Sequence, residues 1–206
     1  MLAAKAKAWT ELIDSHRLGY MAMLRNLLTC GLDGEHLHAV CSYLANEQAV
    51  IHSRQLPFRF LSAYRELAGV AGPDTAMVMD ALEQAVKASA ANIAGFGPDT
   101  SVVLASDVSG SMWQRVSPHS TVEYYDIGLM LSMLLHSRCR RVVAGMFGDT
   151  WKAVSLPHDS ILANVQALRS RQGEVGYSTN GHKVVEWLIE QRMAVDKVML
   201  FTDCQL

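Results

Sequence analysis

An unbroken apolar run, Ser101-Val-Val-Leu-Ala105, passes through Ser106 into the polar stretch Asp107-Val-Ser-Gly-Ser111. This junction constrains the chain more than any other feature. A short continuous apolar run fits a strand covered on both faces, as in a parallel sheet with helices above and below. Two further runs have the same character, Arg141-Val-Val-Ala-Gly-Met-Phe147 and Lys197-Val-Met-Leu-Phe201. Between them, Tyr124 to Ser137, Ser160 to Leu168 and Gly181 to Met193 read as helices. Gly148-Asp149 reads as a tight turn, with Trp151 to Leu156 pairing back as a hairpin. His136 to Arg141 reads as a basic stretch at the solvated start of the second strand. Strands alternating with helices predict an α/β doubly wound, Rossmann-type domain over residues 99–206.

The period differs before residue 96, where the pattern is helical throughout. Ala3 to Ser15 is rich in helix formers, and Leu18 to Leu28 carries leucines and methionines near a helical period. Gly31 is expected to end that helix and Asp33 to cap the next, with Leu37, Val40, Cys41 and Leu44 on its buried side. Leu56-Pro57 opens another helix, and Thr75 to Ile93 reads as one long amphipathic helix. Short loops between such helices imply antiparallel hairpins stacked as in an α-solenoid. Residues 1–96 form this helical part, and Gly95-Phe-Gly-Pro98 marks the join.

Composition removes several function classes. The formal net charge is −2, so the bulk balance does not call for nucleic acid or an anionic membrane. The cysteines at 30, 41, 139 and 204 form no C-x-x-C pair, which fits a reduced, cytoplasmic protein. Lys5 and Lys7 interrupt any signal-like apolar start, and no apolar run is long enough to span a membrane.

Open α/β sheets place their ligands at the carboxyl ends of strands. Three polar clusters fall there: Asp107, Ser109 and Ser111 after the first strand, Thr179 in the Gly176–Gly181 loop, and Asp203 after the last strand. The alternation in D-x-S-x-S turns alternate side chains toward one point, and Gly110 lets the backbone bend. One carboxylate, two serine hydroxyls, a threonine hydroxyl and a second carboxylate through water would satisfy magnesium, which takes oxygen ligands. The rival for this stretch is an ordinary polar loop with serine as a helix cap. A serine hydrolase is disfavoured, because the loop is not G-x-S-x-G and no histidine follows in hydrolase order with a clear third partner. Metal-assisted hydrolysis lacks an evident general base.

Asp107, Ser109, Ser111, Thr179 and Asp203 resemble the metal-ion-dependent adhesion site of von Willebrand factor A domains. Leu18-Gly-Tyr-Met-Ala-Met-Leu-Arg-Asn-Leu-Leu28 and Leu56-Pro-Phe-Arg-Phe-Leu-Ser-Ala-Tyr64 resemble the closing helices of the TROVE module of the Ro ribonucleoprotein family. That family joins a ring of HEAT-like helical hairpins directly to a von Willebrand A domain. The resemblance implies an RNA-binding scaffold and no enzyme. Its partners would be small noncoding Y-like RNAs, defective or misfolded RNAs, and an exoribonuclease or other protein at the metal site. It also implies Mg2+, or another divalent cation such as Mn2+, as cofactor. Against the family pattern, only the last helices of the ring are represented, and the A domain is expected to be truncated after the Asp203 strand. Within residues 1–98, eight Lys and Arg face nine Asp and Glu, so no cation excess favours phosphates. Arg25 and Arg59, inside the two family-like motifs, are the RNA-binding candidates, unless they pair with glutamates or lie over the core. Trp9, Tyr20, Phe58, Phe60 and Tyr64 could stack bases, although aromatics at helical spacing are usually core. The alternative function is a metal-dependent protein-interaction module without RNA binding.

Overall fold

A computed structural model of the chain describes residues 2–15, 18–26, 34–68, 72–90, 93–118 and 120–203. The chain divides into two compact units, Met1–Asn92 and Ile93–Leu206.

The first unit is helical: α1 covers Leu2–Asp14, α2 Tyr20–Asn26, α3 Gly34–Leu44, α4 Glu47–Ser53, α5 Phe58–Ala68 and α6 Pro73–Ser89. α6 packs against α3, α4 and α5. Its spacing explains this, since Val78, Leu82, Ala85 and Val86 recur on one helical face and all are buried. Each large side chain removed from water in this way contributes roughly 1.5–3 kcal/mol. Tyr20 and Phe60 meet edge to face with ring centroids 6.1 Å apart, and the Tyr20 hydroxyl donates to the Leu44 carbonyl at 2.6 Å. These two aromatics are therefore core rather than surfaces for a base.

The helix ends follow local chemistry. The Asn46 side chain accepts the Ala49 N–H at 2.9 Å and caps α4, and Arg54 closes that helix in the left-handed region at φ 50°. Pro73 fills the first turn of α6, which thus starts ahead of the expected Thr75. α6 stops at Ser89, short of Ile93, where the Ala90 N–H turns back onto the preceding carbonyls. Gly31 and Asp33 lie outside the described residues.

The second unit holds a four-stranded sheet in the order β3-β2-β1-β4. β1 is Ser101–Asp107, β2 Arg141–Phe147, β3 Trp151–Val154 and β4 Lys197–Phe201. β1 runs parallel to both neighbours, and β3 returns antiparallel to β2. Three helices accompany the sheet: α7 Tyr124–Arg138, α8 Ile161–Ser170 and α9 His182–Glu190. Alternate side chains serve opposite faces. Val103, Ala105 and Phe147 pack with Val184 and Leu188 of α9. On the other face, the Tyr125 hydroxyl of α7 lies 3.9 Å from the sulfur of Met146, whose register partner is Ser106. Gly128 lets α7 approach β4, because a Cβ there would sit 3.3 Å from the Phe201 Cβ.

Several details depart from the sequence reading. β1 continues to Asp107, which pairs in register with Phe147, so Asp107 is the last strand residue rather than a loop residue. The register Phe147↔Trp151 makes the β2–β3 turn three residues long, Gly148 to Thr150, rather than Gly148-Asp149 alone. α9 ends at Glu190, well before Met193, with Arg192 at φ 50°. His136 is buried, not part of a solvated basic stretch; only Arg140 and Arg141 of that stretch are exposed. The His136 ring stacks on His158 with centroids 4.4 Å apart, and the His136 carbonyl contacts the His158 Nδ1 at 3.0 Å.

The start of α7 is fixed by ions. Asp126, wholly buried, accepts from Arg169 Nη1 at 2.5 Å and from the Glu123 N–H at 3.0 Å. Arg169 Nη2 also reaches Glu123 at 2.9 Å, tying the first turn of α7 to the last turn of α8. Asp126→Asn removes the charge and keeps the shape. It should cost about 2–3 kcal/mol in urea unfolding, since half a buried pair is left behind. A loss below about 0.5 kcal/mol would show that this network does not hold the helices together.

His136 supplies a pH dependence. Burial first, and the nearby His158 second, push its imidazole from 6.5 down to about 4. The folded chain thus keeps the ring neutral where the unfolded chain is protonated. This stability is full above the ordinary imidazole value and is lost as pH falls from 6.5 toward about 4. The melting temperature should drop between neutral pH and about pH 5, and drop less in His136→Phe, which keeps the stack without titrating. Equal drops in the two proteins would remove His136 as the cause.

Candidate functional site

Asp107 ends the central strand with no exposed surface. Its Oδ1 accepts the Ser109 N–H at 2.8 Å, and its Oδ2 accepts the Thr202 hydroxyl at 2.7 Å. The chain then leaves the sheet: Val108 N–H still donates to the Phe147 carbonyl at 3.1 Å, and Gly110–Trp113 forms a single 3-10 turn. That turn brings the Ser109 and Ser111 hydroxyls to 3.2 Å from each other. Ser109 is buried and Ser111 half-buried. The D-x-S-x-S spacing thus sets one carboxylate and two hydroxyls along a single tight turn.

The Thr179 loop reaches the same end of the sheet. The Gly110 N–H donates to the Tyr177 carbonyl at 3.2 Å. Thr179, two residues on, is half-buried, and among the described residues no hydrogen bond joins it to Asp107, Ser109 or Ser111. A second anchor holds this loop: Asp149 Oδ1 accepts the Ser178 N–H at 2.9 Å, and the Asp149 carbonyl accepts from Asn180 Nδ2 at 3.2 Å. Those bonds from Ser178 hold the Asp149 carboxyl below its ordinary value. Gly176, at φ +78°, must stay bare, because a Cβ would run into the Asp149 side chain.

Asp203 lies two residues beyond β4, and its Oδ1 is buried without a hydrogen-bond partner. A cleft of about 170 Å³, lined in part by Met112, Tyr124, Ile127, Leu131 and Phe201, opens beside it. Arg59 is exposed on α5, with its guanidinium 5.8 Å from the centre of the Phe58 ring. The Arg25 side chain lies outside the described residues.

The oxygens gathered around Asp107 fit a hard divalent cation. A buried carboxylate charge needs compensation, and two neutral donors supply only part of it. Each Asp107 oxygen has a lone pair left after its hydrogen bond. Two hydroxyls stand close by, and the partnerless Asp203 Oδ1 is a further acceptor at the same sheet end. Among the described residues no group of three or more His, Cys, Asp or Glu could hold a metal, so hydroxyls would have to complete any coordination. That donor chemistry suits magnesium or manganese rather than zinc or copper.

Two residues here escaped the sequence reading. Thr202 was visible only as the neighbour of Asp203. The register Phe201↔Ser106 sets the residue after Phe201 beside Asp107, and sheet order is what would have exposed it. Asp149 was read as turn-forming, although its side chain holds the Thr179 loop.

Comparison with known proteins agrees with this architecture. Residues 2–71 match the TROVE domain family. Telomerase protein component 1 of Rattus norvegicus is 50% identical over 66 residues, covering 31% of this chain and 2% of that protein. The Mus musculus protein of the same name is 51% identical over 63 residues, covering 29% of this chain and 2% of its own length. The crystal structure of the Deinococcus radiodurans Ro (RSR) protein superposes with a TM-score of 0.59 at 24% identity, over 92% of this chain and 40% of that one. The chain therefore spans a small part of the curated relatives it matches. Among the described residues no helix is long and apolar enough to cross a membrane. Residues 2–71 thus resemble a TROVE domain, and the chain shares the fold of a Ro protein over 92% of its length.

Proposed function

We propose that this chain is an RNA-binding scaffold of the Ro ribonucleoprotein type, carrying a metal-ion-dependent adhesion site and acting in the cytoplasm without catalysis. One observation carries the reading: a TROVE match over residues 2–71 is continuous with a chain that shares the fold of the Deinococcus Ro protein over 92% of its length. In this reading the helices are HEAT-like hairpins and the second unit is a von Willebrand A domain. The RNAs are small, structured, Y-like noncoding species and misfolded RNAs. A protein such as an exoribonuclease is the expected partner at the metal.

Arg25 and Arg59 are the proposed phosphate contacts on the helical unit. The eight cations and nine anions of residues 1–98 argue for modest affinity. Filter binding of a Y-like stem-loop RNA should give a Kd in the micromolar range or weaker at physiological salt, with the affinity falling further as salt is added. Arg59→Ala should reduce the salt slope by about one contact. Tight, salt-resistant binding untouched by Arg59→Ala would move the RNA surface elsewhere, and no binding at low salt would remove RNA from the reading.

At the second unit, Asp107, Ser109, Ser111 and Thr179 are the proposed direct ligands of Mg2+ or Mn2+, and Asp203 acts through water. The bound cation would supply an electrophilic position that an oxygen of a partner can fill. Thr202 would orient the Asp107 carboxylate through its 2.7 Å hydrogen bond. In calorimetric titration with Mn2+, Asp107→Ala should abolish binding. Ser109→Ala, Ser111→Ala and Thr179→Ala should each weaken it less, and Thr202→Val should weaken it by about 10–100-fold. Unchanged binding in Asp107→Ala would sink the assignment.

The charge balance also favours the second reading, a metal-dependent protein-interaction module without RNA binding, in which the helices only support the docking domain.

A further inference from the structure

Two large aromatics stand exposed on the two loops that meet at the Asp107 end of the sheet. Trp113, 40% exposed, closes the 3-10 turn that carries Ser111, and Tyr177, 52% exposed, sits in the Thr179 loop. Their rings meet edge to face, with centroids 5.4 Å apart and planes at 87°. The pair is preorganised. The Gly110 N–H bond to the Tyr177 carbonyl ties the two loops together, and Asp149 fixes Ser178 beside them. The Tyr177 hydroxyl extends over Gly173, where a Cβ would lie 3.3 Å from it. Rigid, half-exposed Trp and Tyr side chains on a fixed backbone are the kind of anchor that dominates protein interfaces, because little side-chain freedom is lost on binding.

We propose that Trp113 and Tyr177 form an aromatic subsite that selects a partner protein by the residue next to an acidic side chain in an extended segment. The inference rests on the metal reading above, with a side-chain carboxylate supplying the partner oxygen at the cation, and it assigns the neighbouring specificity to these two rings. An apolar or aromatic residue flanking that carboxylate would pack on the exposed faces of the pair. A nucleic acid is the weaker candidate for two reasons. Rings at 87° leave no parallel slot in which a base could be sandwiched between them. Residues 93–206 also hold ten Lys and Arg against eleven Asp and Glu, so no cation excess draws phosphates to this unit.

The test uses the whole chain labelled with 5-fluorotryptophan, with the Trp113 fluorine signal assigned through Trp113→Phe. The probes are three blocked hexapeptides, Gly-Gly-Asp-Phe-Gly-Gly, Gly-Gly-Asp-Gly-Gly-Gly and Gly-Gly-Asn-Phe-Gly-Gly, together with oligouridylate, all in excess Mg2+. The Asp-Phe peptide should shift the Trp113 signal and bind about tenfold more tightly than the Asp-Gly peptide, with the Asn-Phe peptide weakest. Tyr177→Ala and Trp113→Ala should erase the Asp-Phe preference while leaving Mn2+ titration unchanged. Equal binding of Asp-Phe and Asp-Gly peptides with cation binding intact would overturn the subsite alone. Absence of cation binding in the unaltered chain would overturn the metal reading and the subsite with it. A Trp113 shift with oligouridylate and not with the peptides would overturn the protein partner in favour of nucleic acid.

Discussion

Asp107 holds a carboxylate with no exposed surface at the carboxyl end of the central strand. Removing such a group from water is costly unless its oxygens are matched, and nearby backbone is arranged to match them. Ser109 turns its N–H back onto Oδ1, and Thr202 brings a hydroxyl to Oδ2 from the neighbouring strand end. The first bond starts the turn that stacks Ser109 on Ser111. The second couples the position of β4 to the site. The buried charge therefore organises both the local turn and the lateral neighbour.

That arrangement depends on a sheet covered on both faces. Val103 and Ala105 meet α9, while Met146 and Gly128 mark the face that α7 covers. The Asp126–Arg169–Glu123 network fixes where α7 begins, and the Tyr124 N–H donates to the Gln114 carbonyl at 3.1 Å, just past the site turn. Helix placement, turn and strand end are linked through a few short polar contacts. In the helical unit the same division of labour holds, with α6 presenting one apolar face to three neighbours and Tyr20 filling its hydroxyl's need at Leu44.

The rim of the site differs in character from its floor. The floor is oxygen-rich and buried, whereas the rim presents Trp113 and Tyr177. A cation would supply attraction that any carboxylate could satisfy, and discrimination among partners would then fall to the rim, where shape and stacking differ from one side chain to another. Affinity and specificity would thus reside in different residues of two adjoining loops.

Much of this was legible along the chain. The apolar runs marked three strands, β2 and β4 with their observed ends, and the switch from helical period to alternating elements marked the change between units. The D-x-S-x-S spacing pointed to Asp107, Ser109 and Ser111, because residues so close in sequence must meet if the turn is tight. Other assignments required segments far apart in the chain to be set side by side. Thr202 joined Asp107 only through the parallel register of β4 on β1, across 95 residues. Asp149 became the anchor of the Thr179 loop, and His136 became a buried neutral ring under His158, through packing that no local period encodes. Periodicity and spacing report which way side chains point along one element. Register, burial and loop-to-loop contact are settled by how separate elements close over one another, and the second oxygen partner of Asp107, the buried imidazole and the aromatic rim belong to that closure.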